Sequence, residues 1–176
     1  MAKLFWVDLE MTGLDVENEV VIECAVVVTD MNFNSLDSFH AVLKQPQKYL
    51  DGMDDWNKKH HKESGLTDQV SKGMDPSKVE EELCRLLDKH FSKERAMIAG
   101  NSIAQDRLFI NKYFKKFSSR LHYRMLDVSS WKIIFKEKYK ISYEKKNAHR
   151  ALDDIQESIN ELKHYLTFLR PEESKP

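Results

Sequence analysis

The run "VVIECAVVVTD", Val20 to Asp30, is β-branched along most of its length. Such residues suit a pleated backbone, and a nearly continuous apolar run reads as a buried central strand rather than a half-exposed one. Upstream, Lys3 to Glu10 reads as a first strand. Downstream, the turn-like "MNFNS" leads into "LDSFHAVLK", Leu36 to Lys44, as a third. Three adjacent strands with short connections predict an antiparallel meander.

Beyond the meander the periodicity becomes helical. "DDWNKKHHKESG" ends in Gly65, a plausible C-cap. Pro76 opens "PSKVEEELCRLLDKHF", where Val79, Leu83, Leu86, Leu87 and Phe91 form an apolar stripe. "AMIAG" reads as a short buried strand, after which Ser102 can cap the helix "IAQDRLFINKYF". "YRMLDV" predicts a fifth strand, followed by the helix "SSWKIIFKEKY". A last helix is expected from about Ala148 to Phe168, with Leu152, Ile155, Ile159, Leu162 and Leu166 on its buried face. The expected fold is α/β, a mixed five-stranded sheet with helices around it, meander first and βαβ later. It forms one domain over residues 1–176, with a short C-terminal tail from about 170.

Of the residues, 41% are hydrophobic and 32% charged, the balance of an ordinary globular chain. No apolar run approaches the ~20 residues that cross a bilayer, so no membrane role is expected. No charged-then-apolar secretory signal opens the sequence. Cys24 and Cys84 lie inside apolar patterns without metal-knuckle spacing, which reads as reduced core thiols in a cytosol-like compartment. A mitochondrial location is the alternative if a transit peptide preceded residue 1. The net charge of −1 is uneven: Arg107 to Arg150 holds 13 Lys and Arg against 3 Asp and Glu, so +10 there and −11 elsewhere. A basic half points to an anionic ligand such as phosphate, or to a solvated surface with chance bias.

Asp8 and Glu10 are two apart on the first strand and therefore emerge on one face. Like charges so close repel unless a cation lies between them, and Mg²⁺ or Mn²⁺ prefers oxygen ligands. A solvated strand end would also explain the pair. Asp106 lies in the first turn of its helix, where an acid also simply suits the dipole. Of Asp153 and Asp154, the helical wheel puts Asp154 nearer the buried edge, although His149 and Asp153 are i, i+4 neighbours. His149 has the intrinsic pKa of a general base near neutrality, or is a surface histidine near a helix start.

Five segments, "WVDLEMTGLD", "MDDWNKKHHKESGL", "GNSIAQD", "HYRMLDVSS" and "AHRALDDIQESI", together resemble oligoribonuclease in order and over nearly the whole chain. This is the small-RNA exonuclease family of the DEDDh group, with an RNase H-like fold; "HRALDDIQESI" and "KQP" look more like its eukaryotic branch. The resemblance implies that Asp8, Glu10, Asp106 and Asp154 hold two Mg²⁺ or Mn²⁺ ions and that His149 is the general base. It implies 3′-to-5′ hydrolysis of short RNA, especially dinucleotides, to 5′-mononucleotides. It places Leu14, Trp56 and His61 on the bases, with core packing the alternative for Trp56 and His60 the lesser partner. It places Ser102, Arg124 and Ser129 on the 5′ phosphate, with Tyr123 supplied by the other subunit of a homodimer. A related exonuclease acting on longer DNA or RNA ends is the alternative within enzymes; a catalytically silent RNA-binding module is the alternative outside them.

Overall fold

The computed structural model describes residues 2–144 and 150–169. Its sheet has five strands in the order β3-β2-β1-β4-β5. The meander β1 (Lys3–Met11), β2 (Val21–Asp30) and β3 (Ser35–Val42) is antiparallel, and β4 (Ile98–Gly100) and β5 (Leu126–Asp127) join it in parallel. Mixed sheet, flanking helices and meander-first topology all agree with the sequence reading.

Strand alternation divides the core. Phe5, Val7 and Leu9 point to one face, where they pack with α4 (Pro76–His90), α5 (Ile103–Tyr113) and α6 (Lys115–Ser118). Leu4 and Trp6 point to the other, against Ile155, Ile159 and Leu162 of α8 (Ala151–Leu166), with Val128 of α7 (Val128–Tyr139) in the same cluster. The period of two therefore carries Asp8 and Glu10 toward α8. β2 is buried along nearly its whole length because it has a strand on either side and helices over both faces.

The structure differs from the sequence reading in several places. "YRMLDV" contributes only Leu126 and Asp127 as strand, since β4 offers just Ala99 and Gly100 to pair with. The short helices α1 (Gln47–Gly52) and α3 (Thr67–Val70), like α6, are too brief to show a helical period in the sequence. α2 (Asp55–Glu63) ends as expected: Gly65 adopts φ +72°, and its N–H is accepted by Lys62 O. Leu152, expected on the buried face of α8, is 40% exposed, and the buried face runs instead through Ala151, Ile155, Ser158, Ile159, Glu161, Leu162 and Tyr165. Ala148, the expected start of that helix, lies outside the described residues.

Gly100 fixes the spacing of β4 from β1. A Cβ there would sit 2.8 Å from the carbonyl oxygen of Val7 and 3.1 Å from Ile103 Cδ1. Gly100→Ala must therefore push apart the strands that seat α5. The expected loss is about 1–3 kcal/mol, as for other overpacked interiors, read from the urea midpoint.

Candidate active site

Asp8, Glu10 and Asp154 converge where β1 runs past the end of β4. Each offers a carboxylate oxygen within 4.8 Å of the others, and all three are half-buried. Asp106, in the first turn of α5, is 7% exposed and accepts the backbone N–H of Leu9 at 2.9 Å. It stands beside the trio rather than within it. Its contact is local in origin: the N–H of Phe5 is accepted by Met97 O on the β4 side, and alternation turns Leu9 the same way beyond the last β4 partner.

Crowded acids show in their proton affinities. Burial pushes Glu10 up to about 8; the negative charges of Glu23, Asp154 and Asp106 add to the rise, and Arg150 opposes it. Burial likewise raises Asp106 to about 7 against the Leu9 hydrogen bond. Cys24 lies beneath this cluster, and burial, with Asp106 and Asp8 nearby, drives its thiol far above the usual range. His149 lies outside the described residues; its neighbour Arg150 is described.

The residues expected on the substrate fall into two groups by their expected role, the base and the 5′ phosphate. Leu14 is 73% exposed, and its carbonyl accepts Gln105 Nε2 at 2.7 Å. Trp56 is 68% exposed, so it is not a core residue. Its ring stacks on His60, 4.7 Å away at 11°, and not on His61. The i, i+4 spacing on α2 brings Trp56 over His60, while His61 turns inward, 2% exposed, with Nε2 2.9 Å from Met11 O. The second group comprises Ser102, Ser129, Tyr123 and Arg124. Ser102 does not cap α5 with its side chain; it adopts φ 50°, and its N–H is accepted by Asp127 Oδ1 and Ser129 Oγ at 3.0 and 2.9 Å. Its hydroxyl lies 3.2 Å from Ser129 Oγ. Tyr123 is 74% exposed, stacked on His122, with the Arg124 guanidinium 5.3 Å from its ring centre.

The RNase_T family model, described as exonuclease, matches residues 5–162. Oligoribonuclease of Ectopseudomonas mendocina is 44% identical over 167 residues, covering 92% of this chain and 93% of that protein. The human protein named "Oligoribonuclease, mitochondrial" is 41% identical over 169 residues, covering 93% and 71%. The chain belongs to the oligoribonuclease family. In fold it also resembles E. coli exonuclease I in complex with a dA16 oligonucleotide, with a TM-score of 0.72 at 13% identity over 95% of this chain. It spans only 41% of that exonuclease. The zinc-bound form of the same exonuclease gives 0.73 at 16% identity.

The oligoribonuclease-family acids suit a hard divalent cation on this structure's own terms. Three carboxylates share a small space, and burial, reinforced by the neighbouring acids, lets Glu10 hold its proton up to about 8. A cation held by oxygen ligands would remove that penalty.

Sequence reasoning passed over Glu23. It is fully buried in β2, directly across from Glu10 in the strand register. Burial alone would raise it, but hydrogen bonds from His40 and the charge and bonds of Arg150 outweigh that and hold it below the usual carboxylate range. Arg150 reaches Glu23 Oε1 through Nε at 3.1 Å and Nη2 at 2.9 Å, and His40 Nε2 lies 2.6 Å from the same oxygen. The available signal was a lone acid inside an apolar β-branched run, which demands a partner.

A pH dependence follows from Glu10. Between its ordinary value of 4.5 and about 8, the metal-free native chain binds a proton that the unfolded chain has lost. Stability must fall as pH rises through that window. In EDTA, the urea midpoint of the wild type is expected to drop relative to Glu10→Gln between pH 5.5 and 8.5. Mn²⁺ should restore it in the wild type, and proton uptake or release on adding Mn²⁺ should show net release.

Proposed function

We infer that this oligoribonuclease-family chain is a 3′-to-5′ exoribonuclease that hydrolyses short RNA, especially dinucleotides, to 5′-mononucleotides. The observation that carries the reading is the convergence of Asp8, Glu10 and Asp154 beside Asp106, at the C-terminal end of the parallel strands β1, β4 and β5, just beyond which Ser102 and Ser129 also stand. Asp8, Glu10, Asp106 and Asp154 would hold the divalent ions. A pair of Mg²⁺ or Mn²⁺ ions supplies charge stabilisation to the attacking and leaving oxygens of an in-line displacement.

The chain's own groups do the rest. His149 accepts a proton from the attacking water as its oxygen bonds to phosphorus. The bond from phosphorus to the 3′ oxygen of the preceding nucleotide breaks, and a 5′-mononucleotide leaves. Leu14 and the exposed face of Trp56 take the bases by wedging and stacking, which tolerates any sequence. His61 supports this clamp through Met11 O rather than by offering an open ring. Ser102, Ser129 and Arg124 hold the 5′ phosphate, Arg124 through a planar fork suited to two hydrogen bonds. The partner's Tyr123 closes that end in a homodimer. A site closed at the 5′ end favours very short substrates. It also fits a nearly neutral chain, because a two-nucleotide ligand needs no long electropositive track.

The test is hydrolysis of 5′-phosphorylated RNA of two, seven and about twenty nucleotides, lengths chosen to sample below and beyond a closed end site. Rapid, EDTA-sensitive loss of the dinucleotide supports the reading; faster processing of the longest strand transfers the chain to end-trimming exonucleases. No cleavage by folded, Mn²⁺-loaded protein would leave an RNA-binding module. Asp8→Ala should cost more than ~100-fold, beyond the usual effect of losing even an outer partner of a metal ligand. Arg124→Ala should lower dinucleotide turnover about 10–100-fold, the worth of charged hydrogen bonds, with a smaller effect on seven nucleotides. Equal losses at both lengths would remove Arg124 from the 5′ end.

A further inference from the structure

Asn101 stands between the serines of the second group and helix α8. Its Nδ2 donates to Ser158 Oγ at 2.8 Å and to Glu161 Oε2 at 3.2 Å, both from α8 and both buried. Its Oδ1 accepts Ser129 Oγ–H at 3.2 Å. Ser158 in turn donates to the carbonyl of Asp154, one turn earlier on the same helix. A single amide thus ties the serine pair to the helix that carries one of the clustered acids.

The protons in this chain run in one direction. Ser158 has one hydroxyl proton, and it is given to Asp154 O, so toward Asn101 it accepts. Glu161 accepts as well, from Asn101 and from Tyr165 O–H at 2.9 Å. Two acceptors on one side fix the amide with its NH₂ inward and its oxygen toward Ser129. Ser129 must then spend its only proton on Asn101, and its lone pairs face the N–H and hydroxyl of Ser102. Ser102 Oγ–H is then the donor across the 3.2 Å contact to Ser129 Oγ, and of the two serine protons it is the one not committed to Asn101 and able to swing to an incoming phosphate.

We propose that Asn101 is a positioning residue for recognition of the substrate's 5′ phosphate, orienting the Ser129 hydroxyl so that Ser102 supplies the hydroxyl proton to the phosphate. This rests on the reading that Ser102 and Ser129 face the 5′ end. Loss of the amide would release both rotors and loosen the 5′ grip, while the Glu23 bonds to Arg150 and Ala151 and the apolar seat of Ile155, Ile159 and Leu162 still hold Asp154 in place. A residue that merely supported the fold would affect every substrate alike.

The experiment compares 5′-phosphorylated and 5′-hydroxyl dinucleotides with wild type, Asn101→Ala and Ser158→Ala. Asn101→Ala should raise KM for the phosphorylated substrate about tenfold, a typical cost of misplacing a binding group, while its kcat and the 5′-hydroxyl kinetics stay within about twofold. Ser158→Ala, which keeps the Glu161 contact, should shift KM in the same direction by less. Equal losses on both substrates, or an unchanged phosphate preference, would overturn the proposal. Should Asn101→Ala fail to fold, Ser158→Ala decides: an unaltered preference overturns it. A wild type that shows no preference for the phosphorylated dinucleotide overturns the end-site reading and this proposal together, and that result is visible without any variant.

Discussion

Leu9 gives its backbone N–H to Asp106 across 97 residues of chain, at 2.9 Å. The contact exists because β1 outlasts β4. Beyond the last paired residue, Trp6 opposite Ala99, the β4 side of β1 would be an edge with open donors. Asp106 closes one of them and in doing so is drawn down beside Asp8 and Glu10. The acid beside the trio is thus held by a backbone donor, which cannot itself rotate away. Gly100 sets how near it comes, since only a residue without Cβ lets β4 lie against Val7 O. Strand length, edge closure and acid placement are one constraint seen from three sides.

The opposite wall is α8, and its attachment is polar where attachments are usually apolar. Ile155, Ile159 and Leu162 seat it on Leu4 and Trp6. Its first turn is held by Glu23, which binds Arg150 and also lies 3.4 Å from the Ala151 N–H. Its middle is held by Asn101 through Ser158 and Glu161. Apolar packing resists separation but tolerates sliding, whereas directional bonds fix translation along the helix axis. Asp154 lies between those two polar anchors. Breaking either would leave a buried carboxylate short of partners, so neither is easily replaced by a hydrocarbon contact.

Much of this was legible in the sequence, for reasons that separate along physical lines. A period of two is short and rigid, so Asp8 and Glu10 could be placed on one face from spacing alone. The β-branched run declared β2, and the stripe Val79, Leu83, Leu86, Leu87 declared α4. The wheel places Leu152 on the buried stripe, but the first turn of α8 meets the sheet through Ala151 beside it and leaves Leu152 40% exposed. Trp56 could not be assigned, since large aromatics serve both cores and bases; exposure decided it. Ser102 looked like a cap because serine before a helix usually is one, yet its left-handed backbone turns the hydroxyl to Ser129. Glu23 and Asn101 were silent because their partners are far away in the chain, as is the Asn101 partner of Glu161, and a polar network has no period.

The three tryptophans occupy three different surroundings. Trp6 is fully buried with its indole N–H on Thr29, Trp131 is half-buried near Phe135, and Trp56 stands in solvent against His60. Their light emission should divide accordingly, blue from the first and red from the last. An aqueous quencher reaches the red component first, and so does a nucleobase lying on the open indole face. Under the proposed function, Trp56 would therefore serve as an optical reporter of base stacking, spectrally apart from the residue that reports the core.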